Sequence, residues 1–308
     1  MRIFVAGGSG LVGSRLVPKL EERGDEVVLL SRRANSLRDR FGKRCQVVQG
    51  DPLREGSWLQ AVDDCDCVVN LTGENIFARR WDAPFKETLR KSRVESSAHM
   101  VAALSRKPQT AAGKPKTLIN SSAIGYYGSL KDESVTEDSS PGKDFMAELC
   151  VQWETAANKA KNLGVRTVLV RTGVVLDKAG GALQEMAKPF RLAGFGGPIG
   201  SGRQYVSWIH HADMVGLILL AIDNSNAEGP LNATAPNPAT NKAMTKAIGK
   251  LLNRPAFVPT PAFAIRMLLG GVAEVVTRGQ RVFPKKAEKL GYVFKFPNLE
   301  AALEDTLE

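Results

Sequence analysis

The chain has 308 residues and a mass of 33.3 kDa, room for one large α/β domain or two modest ones, with roughly three-quarters of the unfolded surface available for burial. Its 42 Lys and Arg against 32 Asp and Glu give a formal charge of +10, but no aromatic RNA-binding motif, zinc finger or continuous basic block directs that charge to nucleic acid. Four cysteines, Cys45, Cys65, Cys67 and Cys150, and three histidines form neither a disulfide framework nor a paired zinc pattern, so a reducing compartment and no metal are expected.

A short apolar run over Arg2 to Ala6 opens the chain and leaves no room before it for a signal or transit peptide. The expected location is the cytoplasm, or an organelle matrix or stroma after removal of a leader. The turn Gly7-Gly8-Ser9-Gly10-Leu11-Val12-Gly13 follows, then a helical pattern that stops at Gly24, then a second strand from Glu26 to Leu30. This is a βαβ unit whose glycines have separate tasks. Gly7 permits the tight turn, Gly10 lets backbone approach a pyrophosphate, and Gly13 lets helix and strand pack closely. The phosphates would rest on the helix N-terminus, cradled by Gly7, Ser9, Gly10, Leu11, Val12 and Gly13. The second strand ends in Ser31-Arg32-Arg33 rather than in the acid that binds a ribose 2′-hydroxyl, so a 2′-phosphate and hence NADP(H) is expected.

Further segments fall in an order that matters. Gly50-Asp51-Pro52 follows the third strand, Val68 to Gly73 runs a strand into a small-residue turn, and Leu118 to Ser122 ends a fifth. With the spacing Gly-x-x-Gly-x-x-Gly, and with Gly73-Glu74-Asn75-Ile76, Ala123 to Gly128, Gly196 to Gly202, Ser207-Trp208-Ile209-His210 and Gly291-Tyr292-Val293-Phe294, the chain resembles an atypical epimerase-like family of the extended short-chain dehydrogenases. That family carries a cell-division-inhibitor label in bacteria and has mitochondrial and chloroplast relatives. The resemblance spans nearly the whole chain. It implies a doubly wound parallel α/β sheet with a small C-terminal helical lobe, Asp51 and Pro52 at the adenine, and Leu71, Thr72, Gly73, Ser121 and Ser122 at the nicotinamide half.

It also exposes a gap. A working member needs Tyr-x-x-x-Lys on one helical turn, the lysine lowering the pKa of a phenol that acts as acid or base. After Pro141-Gly142-Lys143 the chain offers Phe145 and Leu149 at those places, and no tyrosine lies between Gly128 and Tyr205. The candidate substitutes are Ser122 to hold a carbonyl, Tyr126 or Tyr127 to supply a phenol, and His210, each of which has an alternative structural use.

Beyond Arg166 to Leu176, a sixth strand carrying Arg171 to a substrate or phosphate, Gly194 to Pro198 reads as a lid over the strand ends. Asp213 is expected to cap the apolar helix Met214 to Ile222, the longest apolar run and shorter than the ~18 residues of a membrane helix. From about residue 231 Pro236, Pro238, Pro255, Pro259, Pro261 and Pro284, with a strongly basic balance, mark a second lobe, giving units 1–230 and 231–308. Ten basic and two acidic residues lie between Lys242 and Lys289. Thr260-Pro261 reads as the start of an apolar helix that either packs on the sheet or meets an anionic membrane or a partner. Two functions stand open: an NADP(H)-dependent oxidoreductase on an unknown carbonyl or sugar nucleotide, and a non-catalytic NADPH-binding scaffold or redox sensor in a protein complex.

Overall fold

A computed structural model describes residues 1–41 and 45–307. The first half alternates strand and helix: β1 (Arg2–Ala6), α1 (Gly13–Glu22), β2 (Glu26–Ser31), α2 (Ala34–Phe41), β3 (Gln46–Gln49), β4 (Cys67–Asn70), α3 (Ala83–Arg106), β5 (Thr117–Ala123), β6 (Ser134–Val135), α4 (Phe145–Asn158) and β7 (Arg166–Thr172). The second half adds β8 (Val174–Leu176), α5 (Ala182–Leu192), β9 (Tyr205–Val206), β10 (Trp208–His210), α6 (His211–Asp223), β11 (Gly229–Ala233), β12 (Ala239–Thr240), α7 (Asn241–Leu251), α8 (Ala262–Leu269), α9 (Ala273–Thr277), β13 (Arg281–Val282), α10 (Lys285–Lys289) and α11 (Leu299–Leu307).

Seven strands form one parallel sheet in the order β11-β7-β5-β4-β1-β2-β3. Its central strands are apolar on both faces because helices cover both. Ile3, Val5, Val69 and Ile119 meet Leu16 and Leu20 of α1 and Leu217 and Ile218 of α6. On the opposite face Phe4, Val68 and Leu118 meet Met100 and Leu104 of α3, Ala157 of α4 and Trp58. The chain reverses direction across the sheet between β1 and β4, so the ends of those strands open the crevice in which such sheets bind ligands. No helix among the described residues is long and apolar enough to cross a membrane.

Several local expectations change. The sixth strand divides at Gly173, where a Cβ would strike the Ser207 carbonyl and sit 2.9 Å from Thr234 Cγ2. β8 then leaves the sheet to pair with β10. The boundary at 230 falls inside β11, and the lobe is not a C-terminal piece alone: Leu183 and Phe190 of α5, with Leu176 and Trp208, share one core with Met244, Ile248, Leu299 and Leu303. The expected lid is fastened to the lobe, with Gly196 N–H donating to Pro255 O (2.9 Å), Val258 N–H to Gly196 O (3.1 Å) and Thr260 N–H to Pro198 O (2.9 Å). Thr260 is therefore part of this ladder, and α8 starts after Pro261 with no side-chain cap. Asp213 does not cap α6. His210 does, its Nδ1 accepting from Ala212 N–H (3.2 Å). The buried Asp213 carboxylate instead accepts from Tyr292 O–H (3.0 Å), Lys295 N–H (2.8 Å) and Phe296 N–H (2.9 Å), latching the C-terminal segment to the sheet domain.

Candidate active site

The glycine turn is built as its spacing suggests. Gly7 has φ +85°, and a Cβ there would lie 2.7 Å from the Leu71 carbonyl, so the turns after β1 and β4 sit back to back. A Cβ on Gly13 would collide with the Gly7 carbonyl and lie 2.6 Å from Gly8 Cα. Gly10 has a different environment: it is exposed, and a Cβ there would approach only Gly7 O, at 3.3 Å. Its smallness keeps the outer surface of the turn open. α1 has no side-chain cap; Ser14 N–H donates to Gly10 O (2.9 Å) and Arg15 N–H to Val12 O (3.1 Å), while the N–H groups of Leu11, Val12 and Gly13 have no partner among the described residues and are left to an anion. A pyrophosphate fits this cradle. Gly13→Ala is expected to lower NADPH affinity at least tenfold and to destabilise the fold, read by fluorescence titration and thermal melting; unchanged values would show that the close approach is relieved elsewhere.

At the end of β2, Ser31 Oγ accepts from Arg33 N–H (3.0 Å). This holds a tight turn from which the Arg32 and Arg33 side chains project into solvent, with no hydrogen-bond or ion-pair partner among the described residues. Beside it Asp51 Oδ1 accepts from Leu53 N–H (3.0 Å), and the Pro52 carbonyl accepts from His99 Nδ1 (2.9 Å). Gly50 is required here, since a Cβ would press within 2.6 Å of the Trp58 ring. The ends of β2 and β3 thus form a shelf between two exposed arginines and a fixed carboxylate.

Under the strand ends lies a buried amide network that joins four elements. Asn70 Nδ2 donates to Asn120 Oδ1 (2.8 Å), Ser97 Oγ donates to the same oxygen (2.9 Å), and Trp153 Nε1 donates to Ser97 Oγ (3.0 Å). Asn70 Oδ1 in turn accepts from Thr72 N–H (3.2 Å) and Oγ1, which fixes the Leu71-Thr72-Gly73 turn. Next to it, Arg93 of α3 is 9% exposed and has no carboxylate partner among the described residues. Its Nη2 donates to Glu74 O (3.0 Å), its Nη1 to Leu89 O (3.2 Å), and it stacks 5.3 Å from the Trp153 ring. Burial pulls its pKa below the ordinary arginine value. A Cβ on Gly73 would lie 3.5 Å from Arg93 Cζ, so this cation lies beneath the Leu71-Thr72-Gly73 turn. Sequence reading missed it. The available signal was the stripe Leu89, Ser92, Arg93, Ser96, Ser97 and Met100, a helix face of small polar residues that is buried throughout.

The candidates for chemistry are brought together, but with their polar atoms already in use. Ser122 is 2% exposed and donates to Glu154 Oε1 (2.7 Å). Arg171, which sequence reading assigned to a ligand, is buried and makes two bonds to Glu154, Nε to Oε1 (2.8 Å) and Nη2 to Oε2 (2.9 Å). The assignment is corrected: that guanidinium is consumed inside the protein. Burial alone would lower its pKa, but the Glu154 hydrogen bonds and charge raise it above the usual value. Arg171 Nη1 donates to Tyr127 Oη (3.0 Å), and Tyr127 O–H donates to Asn232 Oδ1 (2.6 Å). Tyr127 is 1% exposed, and burial pushes its pKa up to about 12 against the opposing effect of Arg171. Such a phenol is a poor acid or base near neutrality. Tyr126 differs, being half-buried with its ring centred 3.4 Å from Arg171 Cζ.

The register of the missing pair also shifts. Phe145 and Leu149 turn toward Trp81, Phe85 and Leu89. The residues of α4 that face the end of β5 are Met146 and Cys150, whose side chains come within 3.4 Å and 3.8 Å of a Cβ placed on Gly125. They are also four apart, one helical turn. Cys150 is buried, and burial followed by the Glu154 charge pushes its thiol up to about 12. Cys45, Cys65 and Cys67 are likewise buried, with thiols raised to about 12, 11 and 12, chiefly by burial. The two positions of α4 that face the end of β5 thus hold a thioether and an un-ionised thiol.

His210, His211 and Asp305 place ligand atoms within 4.8 Å of one another. Because His210 Nδ1 accepts the capping N–H, the proton of the neutral ring sits on Nε2, which donates to Asp305 Oδ2 (3.0 Å) and cannot also hold a metal. Burial and the adjacent His211 keep the His210 pKa below the ordinary range. It is a helix cap that pins α11.

Comparison with known proteins agrees with this architecture. Residues 260–306 match a domain of unknown function, DUF1731. The chain is 41% identical to the Mycobacterium bovis epimerase family protein Mb2239 over 302 residues, 98% of this chain and 96% of that one. It is 37% identical to mouse epimerase family protein SDR39U1 over 311 residues, the full length of both. The crystal structure of human SDR39U1 isoform 2 with NADPH superposes with a TM-score of 0.84 at 35% identity, covering 99% of this chain and 98% of that one. The UDP-glucuronic acid 4-epimerase of Bacillus cereus, solved with NAD, shares the fold at a TM-score of 0.79 and 17% identity, covering 99% and 97%. With the glycine cradle, the sheet order and a match over residues 3–233, the chain belongs to the NAD dependent epimerase/dehydratase family.

Proposed function

We propose that this protein binds NADP(H) at the glycine turn, with Arg32 and Arg33 on the 2′-phosphate, and retains it in a cleft that lacks the family's phenol and ammonium pair. The observation that carries this reading is the α4 face: Met146 and Cys150 stand where acid–base catalysis needs two ionisable groups. When bound, NADPH supplies a hydride. Reduction of a carbonyl also needs a proton at the substrate oxygen, and Ser122 and Tyr127 are committed to Glu154 and Asn232. The chain's own residues therefore position the dinucleotide without a ready proton donor, as suits a cofactor-dependent scaffold or redox sensor. The NADPH in the human relative's crystal structure supports the choice of cofactor.

A reductase is the second reading, favoured by Tyr126, a half-exposed phenol at the end of β5 above a buried guanidinium. One experiment separates them: NADPH and NADH titration, followed by NADPH consumption with aldehydes, ketones and UDP-sugars. The expected result is selective NADPH binding with turnover at least a hundredfold below the ~1 s⁻¹ lower range of ordinary enzymes. Turnover in the ordinary range that falls about a hundredfold or more in Tyr126→Phe, as loss of a general acid would cause, would replace the scaffold by the reductase.

A further inference from the structure

The lobe presents an apolar surface with a single sign of charge. Leu192 is 85% exposed, Phe195 45%, Phe257 76%, Phe263 70% and Met267 74%. The ladder that fastens Gly196 and Pro198 to the 255–260 segment brings the chain at Phe195 next to the chain at Phe257, Leu192 ends α5 three residues before Phe195, and α8 continues directly from that segment. Phe263 and Met267 are four apart on α8, so both project from one face. Isolated exposed apolar residues are ordinary, whereas a group of large ones marks an interaction surface.

The charge around this surface identifies what it meets. Segments 186–212 and 229–273 contain eight basic residues, three and five respectively, and no Asp or Glu. Arg191, Lys250, Arg254 and Arg266 are exposed among or beside the apolar side chains. Lys188 alone of the eight has an ion-pair partner among the described residues, Glu185 at the start of α5. A protein interface normally carries both signs at its rim. Large apolar side chains on segments that carry cations and no acid, bordered by Glu185, which pairs with Lys188, and by Glu274 after α8, instead match the boundary between anionic headgroups and acyl chains.

We propose that this face docks the protein on an anionic bilayer, with Phe257, Phe263 and Met267 entering the acyl boundary and Arg254 and Arg266 at the headgroups. No helix among the described residues is long and apolar enough to cross a membrane, and the association we propose is peripheral and reversible. The glycine cradle, at the ends of β1 and β4, contributes no residue to this face.

The test is co-sedimentation of the full chain, loaded with NADPH, with vesicles of phosphatidylcholine alone or with about one-third phosphatidylglycerol. The expected result is binding to the anionic vesicles only, falling at least tenfold between ~0.05 and ~0.5 M salt as the Debye length shortens and the attraction between arginines and headgroups is screened. Phe257→Ser with Phe263→Ser, and separately Arg254→Gln with Arg266→Gln, should each weaken binding at least tenfold while NADPH affinity and the circular dichroism spectrum stay unchanged. Absence of binding by the folded wild-type protein, or binding that neither pair of substitutions alters, overturns the proposal. Light scattering that shows a dimer abolished by the phenylalanine substitutions would also overturn it, assigning the face to a second copy.

Discussion

Replacing Arg32 and Arg33 together by glutamate is expected to weaken NADPH binding at least a hundredfold while changing NADH binding by less than about threefold. Both guanidinium groups project from the end of β2 without internal partners among the described residues, and Ser31 holds the turn that carries them. Their loss should cost little stability. Charge-assisted hydrogen bonds contribute ~1.5–3 kcal/mol each, so loss of two removes at least ~3 kcal/mol, a factor above a hundred in affinity. The added carboxylates would repel the 2′-phosphate and accept from a ribose 2′-hydroxyl, which is why NADH is spared. Fluorescence titration with both dinucleotides decides it. Equal losses for the two would place these arginines elsewhere than the 2′-phosphate.

The second large effect concerns stability. Arg171→Met should destabilise the protein by ~3–5 kcal/mol, because it leaves the Glu154 carboxylate buried without its two guanidinium bonds. It also removes the donor to Tyr127 and the cation beneath Tyr126. Replacing both partners, Arg171→Met with Glu154→Leu, should recover much of the loss, since no uncompensated charge remains. Urea denaturation of the three proteins reads both numbers. A single-variant loss below about 1 kcal/mol would mean that water reaches the pair and that the network is weaker than its geometry indicates.

The sheet was legible because each of its determinants is local. The turn from Gly7 to Gly13 is written in glycines that only a close backbone approach requires, and the strand runs are short and apolar in a way that both-sided burial demands. The exposed arginine pair on the tight turn at Ser31 to Arg33 was legible for the same reason. The chemical centre was not. Its content depends on which face of α4 turns inward, and Phe145 and Met146 differ by one residue, or ~100° of helix, a distinction made only when Trp81 and Phe85 from another segment claim Phe145. Arg171 looked like a ligand-binding cation at a strand end until Glu154, seventeen residues upstream, was seen to neutralise it. Arg93 escaped notice because its burial is a property of the packing of α3 under Gly73. The lobe boundary failed because β8 and α5 leave the sheet region and help to form the second core, a path that composition does not mark.

The latch at Asp213 has a consequence for how the protein comes into being. The sheet is complete once β11 has emerged, and domains form from the N-terminus during synthesis. The core of the lobe, however, includes Leu299 and Leu303, within the last ten residues, and Asp213 must await Tyr292, Lys295 and Phe296. Until that segment has emerged, Leu176, Trp208 and Met244 lack their final cover. The nascent chain therefore carries a finished nucleotide-binding sheet beside an open apolar seam, sealed once residues 292–303 have been made.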